Sequence, residues 1–126
     1  MAFAVSHGRT AVGNTPLLLL PGLCCTGKLW QPLLRQLLDS SGGTNEVFIG
    51  DPHATPSLAE TAAALLQQLP EAPITVVGHS LGGYLAMEML RQDPRRIAKL
   101  GLVSTQCRAD TNSIKKRHVS ATRVRF

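Results

Sequence analysis

The chain has 126 residues, 44% of them hydrophobic, 17% charged and only 4% aromatic, which suits one soluble globular domain with an aliphatic core. Its net charge of +5 is confined to one end: seven Lys and Arg balance seven Asp and Glu through Cys107, and from Arg108 six basic residues face Asp110 alone. Three cysteines, Cys24, Cys25 and Cys107, at no framework or ligand spacing argue against a disulfide scaffold and a zinc site and fit a reducing, cytoplasmic compartment, while no apolar run approaches the roughly 20 residues of a membrane span.

Residues 1–14 are mixed and read as a short leader. Leu17-Leu18-Leu19-Leu20 is a continuous apolar run closed by Pro21-Gly22, the pattern of a strand buried on both faces of a parallel sheet. Trp30, Leu33, Leu34, Leu37 and Leu38 follow at helical spacing, with Pro32 in the first turn. Ser40 to Gly43 is a loop. Glu46-Val47-Phe48-Ile49 is a second strand, closed by Gly50-Asp51-Pro52. Ser57 with Glu60 has the spacing of a capping box. Leu58, Ala62, Leu65, Leu66 and Leu69 make the stripe of the next helix, which Pro70 and Pro73 stop. Ile74 to Val77 is a β-branched third strand. Leu81, Leu85 and Met89, with Ala86 and Leu90, mark a helix to about Gln92, with Pro94 just beyond. Leu100-Gly101-Leu102-Val103 is a fourth strand. This alternation predicts an α/β fold, a parallel sheet of about four strands with helices on both faces.

One motif carries chemistry. Gly78-His79-Ser80-Leu81-Gly82 joins the third strand to its helix. A serine hydroxyl is a weak nucleophile unless it is exposed, aimed and given a base. A tight strand-to-helix turn does the aiming. The strand and helix then run so close that side chains at 78 and 82 would collide, and both positions are glycine. The alternative is a plain Gly-rich turn or phosphate cradle, but no phosphate-loop or dinucleotide fingerprint is present. Acyl transfer also needs two backbone N–H donors for an oxyanion. Leu81 follows Ser80, and Leu23 follows Pro21-Gly22 at the end of the first strand. Both stand where such donors belong.

With Leu17 to Gly27, Trp30, Asp51, this turn plus Gly83-Tyr84, and Met87 to Arg91 followed by Pro94, the chain resembles the α/β-hydrolase superfamily over about residues 15–117. The resemblance implies an esterase-like serine hydrolase with Ser80 as nucleophile, Leu23 and Leu81 as oxyanion donors, and Gly78 and Gly82 supporting the elbow. It implies a partial hydrolase core over 15–107 and a basic start of a lid, or a tail, over 108–126. The family places its acid and histidine after later strands, so the chain is expected to end before them.

Asp110 and His118 follow Ser80 in the chain order of a hydrolase triad, but order is not geometry, and Asp110 reads as a helix cap. His79 reads as a structural neighbour. His53 follows the second strand, where ligands gather in α/β sheets, and reads either as pocket lining or as a solvated loop histidine. Cys24 or Cys25 reads either as pocket lining or as a small buried apolar residue. No cofactor, metal, nucleic acid or membrane partner is expected; the basic end lacks interleaved aromatics until Phe126. The expected partner is a small-molecule acyl or ester substrate. The competing reading is a non-catalytic half domain that binds or dimerises through its open sheet edge.

Overall fold

The computed structural model describes residues 3–10, 15–39 and 45–106. The apolar runs become strands: β1 (Phe3–Thr10), β2 (Leu17–Leu20), β3 (Asn45–Gly50), β4 (Ile74–His79) and β5 (Ile97–Val103). The periodic stretches become α1 (Gln31–Asp39), α2 (Leu58–Gln68) and α3 (Leu81–Gln92). Strand order in the sheet is β1-β3-β2-β4-β5. The last four strands are mutually parallel, as the alternation predicts.

β5 starts at Ile97, before the expected Leu100, and β4 runs to His79, past the expected Val77; two further differences from the sequence reading stand out. Trp30 belongs to a short 3-10 turn, Gly27–Trp30, whose first amides are capped by Thr26; α1 starts one residue later. The other difference is β1. Residues 1–14, read as a leader, contain a strand that pairs antiparallel with β3, from Phe3 opposite Gly50 to Thr10 opposite Asn45. Its register shifts between Ser6 and Arg9, which breaks the period-two pattern a sequence reading relies on.

The path reverses inside the sheet. From β2 the chain steps to β3 on one side, then crosses back to β4 on the other. Right-handed crossovers made in opposite directions place their helices on opposite faces. The core divides accordingly. Leu17, Leu19 and Val47 pack with Trp30 and Leu34 on the α1 face. Leu18, Leu20, Phe48, Ile74 and Val76 pack with Ala62, Leu65, Leu85, Ala86 and Met89 of α2 and α3 on the other. Each fully buried leucine contributes about 2 kcal/mol of transfer free energy.

Several polar groups on the α2–α3 side are paired. Ser57 Oγ accepts from Glu60 N at 3.4 Å, forming the predicted cap. Buried Thr61 shares a 2.7 Å hydrogen bond with Thr55, whose hydroxyl donates to Ser57 O. On α3, Arg91 donates twice to Glu88, at 2.7 and 2.8 Å. Gln92 Nε2 donates both to Glu88 Oε1 and to Ala59 O, each at 2.9 Å, which ties α3 to α2.

The Arg91 hydrogen bond, helped by Gln92, lowers the Glu88 carboxyl from 4.5 to about 2. A depressed carboxylate adds stability that is complete above its unfolded value and lost as pH falls through the folded one. Glu88→Gln is therefore expected to be slightly less stable than wild type above about pH 4.5. The gap should close toward pH 2, as read from denaturant midpoints across that range.

Candidate functional site

The reversal of direction lies between β2 and β4, and ligands bind at such switch points, outside the carboxyl ends of the strands. Leu20 at the end of β2 is in register with Gly78 near the end of β4. The loop that follows Leu20 and the turn that follows His79 therefore meet.

Ser80 occupies that turn. Its backbone has φ 52° and ψ −114°, a region that suits glycine and strains a side-chain-bearing residue. Three hydrogen bonds hold it there. Ser80 N–H donates to Val103 O at the end of β5. Ser80 C=O accepts from Gly83 N and from Thr105 Oγ1. All three are 2.9 Å long. The Ser80 side chain makes no cap for α3; its hydroxyl is left for other use.

Close approach explains the glycines. A Cβ on Gly78 would overlap the Gly82 carbonyl, and a Cβ on Gly82 would overlap the Leu20 carbonyl. The start of α3 thus lies directly against the end of β4, as the spelling of the motif predicts, and also against the end of β2. A Cβ on Gly22 would stand 3.2 Å from Ser80 Cβ and 2.8 Å from His79 Nδ1, so Gly22 brings the β2 loop against the turn.

The two anticipated donor residues sit on these adjoining segments. Leu81 is the first residue of α3 and is buried. Among the described residues, its N–H has no acceptor, as befits the first amide of a helix. Leu23, half-buried, lies in the turn closed by Cys25 N–H donating to Gly22 O at 3.1 Å. Its N–H likewise has no acceptor among the described residues. The positive end of α3 favours negative charge beside Ser80.

Other candidates fall differently. Cys24 is exposed, with φ 57° at the tip of the Gly22–Cys25 turn. The buried apolar reading is therefore corrected for Cys24; Cys25 is half-buried. His53 is exposed on the loop after β3, its N–H donating to Asp51 Oδ1 at 2.8 Å. His79 packs beside Gly22 with its Nδ1 buried and unpartnered among the described residues. Asp110 and His118 lie outside the described residues, as does Cys107. A separate groove of about 420 Å³ opens between the start of α2 and the outer face of α3, lined by Leu58, Tyr84, Met87 and Arg91 among others. None of Ser80, Leu23 and Leu81 lines it.

The sequence reading missed Val103 and Thr105. Its only signal was that both follow or end the run Leu100–Val103; the pairing of His79 with Val103 is what brings them to Ser80. Because Ser80 is strained, Ser80→Gly is expected to raise the unfolding free energy by about 1 kcal/mol. Ser80→Ala, which keeps a Cβ, should not. Denaturant midpoints at constant slope would show the difference.

Comparison with known proteins agrees with this geometry. A family model described as alpha/beta hydrolase fold matches residues 15–120. A protein of Caulobacter sp. (strain K31) named "Putative carbamate hydrolase RutD" is 27% identical over 113 residues, covering 82% of this chain and 42% of that protein. The pimeloyl-[acyl-carrier protein] methyl ester esterase of Aromatoleum aromaticum is 39% identical over 56 residues, covering 44% of this chain and 22% of that protein. The solved structure of a thermophilic esterase from Thermogutta terrifontis superposes with a TM-score of 0.69 at 26% identity, covering 91% of this chain and 44% of that one. The chain thus spans less than half the length of these relatives. With the family model matching most of its residues, the chain belongs to the α/β-hydrolase fold family.

Proposed function

We propose that the chain carries the nucleophile and oxyanion-binding part of an esterase-like acyl hydrolase, with Ser80 as nucleophile. The observation that carries this reading is the strained Ser80 backbone, pinned by three hydrogen bonds at a parallel-sheet switch point. Strain of that kind persists only where surrounding structure over-determines it, and it gathers at functional turns. Gly78 and Gly82 support the turn.

The chemistry runs as follows. Ser80 Oγ attacks the carbonyl carbon of a small-molecule ester or related acyl substrate, and its proton passes to a base. The carbonyl oxygen takes the negative charge and binds the N–H groups of Leu23 and Leu81. Collapse expels the alcohol, which takes up the proton, and leaves an acyl-Ser80 ester that water then hydrolyses. The base and its orienting acid come from outside the described residues; among those described, the Ser80 hydroxyl has no hydrogen-bond partner. The expected basic start of a lid or tail, 108–126, lies outside the described residues. His53 and Cys24 line the approach from the loops after β3 and β2. The free thiols of Cys24 and Cys25 suit a cytoplasmic setting. Among the described residues, no helix is long and apolar enough to cross a membrane.

In the complete protein, with its base and acid present, a fluorophosphonate probe should label Ser80, and Ser80→Ala should abolish the label. A folded complete protein that takes up no probe would sink the reading.

A second reading is supported by β5. It pairs only with β4 among the described strands, and it exposes Leu102 and Val103. On this reading the chain is a non-catalytic half domain that dimerises through the open edge. Sedimentation should then show a concentration-dependent dimer that Leu102→Lys dissociates. A wild-type monomer at high concentration would dismiss it.

A further inference from the structure

The Ser80–Leu81 peptide links two features described above. Its oxygen accepts two hydrogen bonds, from Gly83 N and Thr105 Oγ1, and a carbonyl oxygen has two lone pairs to offer. Its nitrogen is the Leu81 N–H. No peptide bond in the described structure is cis, so the oxygen and the hydrogen of this planar unit point in opposite directions. Fixing the oxygen therefore fixes where the Leu81 N–H aims. Hydrogen bonds to the oxygen also polarise the peptide and strengthen its N–H as a donor.

One of the two bonds is local to α3. The other reaches across from the end of β5, and the chain is shaped around it. Ser104 adopts a left-handed backbone, φ 50°, at some cost for a residue with a side chain. Thr105 then lies against α3, where a Cβ on Gly83 would stand 2.7 Å from Thr105 Oγ1. Gly83 thus leaves the space that the Thr105 hydroxyl uses to reach Ser80 O. The sequence motif explains Gly78 and Gly82; Gly83 has this second purpose.

We infer that Thr105 is a positioning residue: its hydroxyl holds the Ser80 carbonyl so that the Leu81 N–H faces the developing oxyanion. The inference rests on the proposed role of Leu81 as an oxyanion donor. Thr105 touches no substrate and exchanges no proton.

Two substitutions separate the hydroxyl from the methyl. Thr105→Val keeps the shape against Gly83 and loses the donor. Thr105→Ser keeps the donor and loses the methyl. In the full chain, Thr105→Val should shift the Ser80 carbonyl and Leu81 amide NMR resonances, and Thr105→Ser should leave them near wild type. With a fluorophosphonate probe on the complete protein, base and acid included, Thr105→Val should lower the limiting labelling rate about 10-fold, with the half-saturating probe concentration unchanged. Thr105→Ser should retain most of the rate. The inference is overturned if Thr105→Val leaves both readouts at wild type, or if Thr105→Ser is the variant that fails, which would mean packing alone. Should Thr105→Val not fold, Thr105→Ser decides by the same readouts. If the wild type takes no probe, the nucleophile reading falls, while the Leu81 resonance still judges the positioning by Thr105.

Discussion

Of the described glycines, the two with the least room for a side chain, Gly82 and Gly78, face backbone. The start of α3 rests on the Leu20 carbonyl at the end of β2 and on Gly78 of β4, with no side chain in between. Much of the surrounding structure follows from that crossing. It requires Gly78 and Gly82. It leaves room for Gly22 to bring the β2 loop against Ser80. It forces the chain to turn from strand to helix within one residue, and that residue, Ser80, is the one in a strained conformation. Backbone this close cannot relax by changing rotamers, so the turn is rigid in a way a side-chain-packed turn is not.

Rigidity here has several supports. The parallel register of β4 with β5 brings the Val103 carbonyl to Ser80 N–H. The first turn of α3 supplies Gly83 N, and the chain beyond β5 supplies Thr105. Strain of roughly 1–3 kcal/mol at one residue is sustained by such redundancy. Beneath it, both faces of the sheet are filled with aliphatic side chains, and β2, whose four residues are all buried, is common to both core layers. The scaffold thus holds the turn from three strands and one helix at once.

How much was legible beforehand depends on how local each signal is. Leu17–Leu20 and Ile74–Val77 announce buried parallel strands because both of their faces must be apolar. Ser57 announces the start of α2 because a cap is made with an amide three residues on. The Gly-x-Ser-x-Gly spelling announces its turn because the collision it avoids is partly within the motif itself. By contrast, β1 is apolar only over Phe3-Ala4-Val5 and has a shift in its register, so its pairing with β3 is hidden. Of the two readings open for Cys24, pocket lining or a small buried apolar residue, its place at a turn tip with positive φ removes the second by exposing it.

The sequence by itself determined the alternation of strands and helices, the parallel character of the central sheet, and the turn that sets Ser80 between β4 and α3. Each of these is encoded in residues near one another along the chain, through periodicity, capping and steric exclusion. Only the tertiary structure decided which strands are neighbours, that Gly22 meets Ser80, and that Val103 and Thr105 hold the Ser80 backbone. Those contacts join residues 23 to 58 positions apart, and they depend on the strand order β1-β3-β2-β4-β5. Hydrogen-bonding groups carry no label for a distant partner, so it is the fold that chooses the partner.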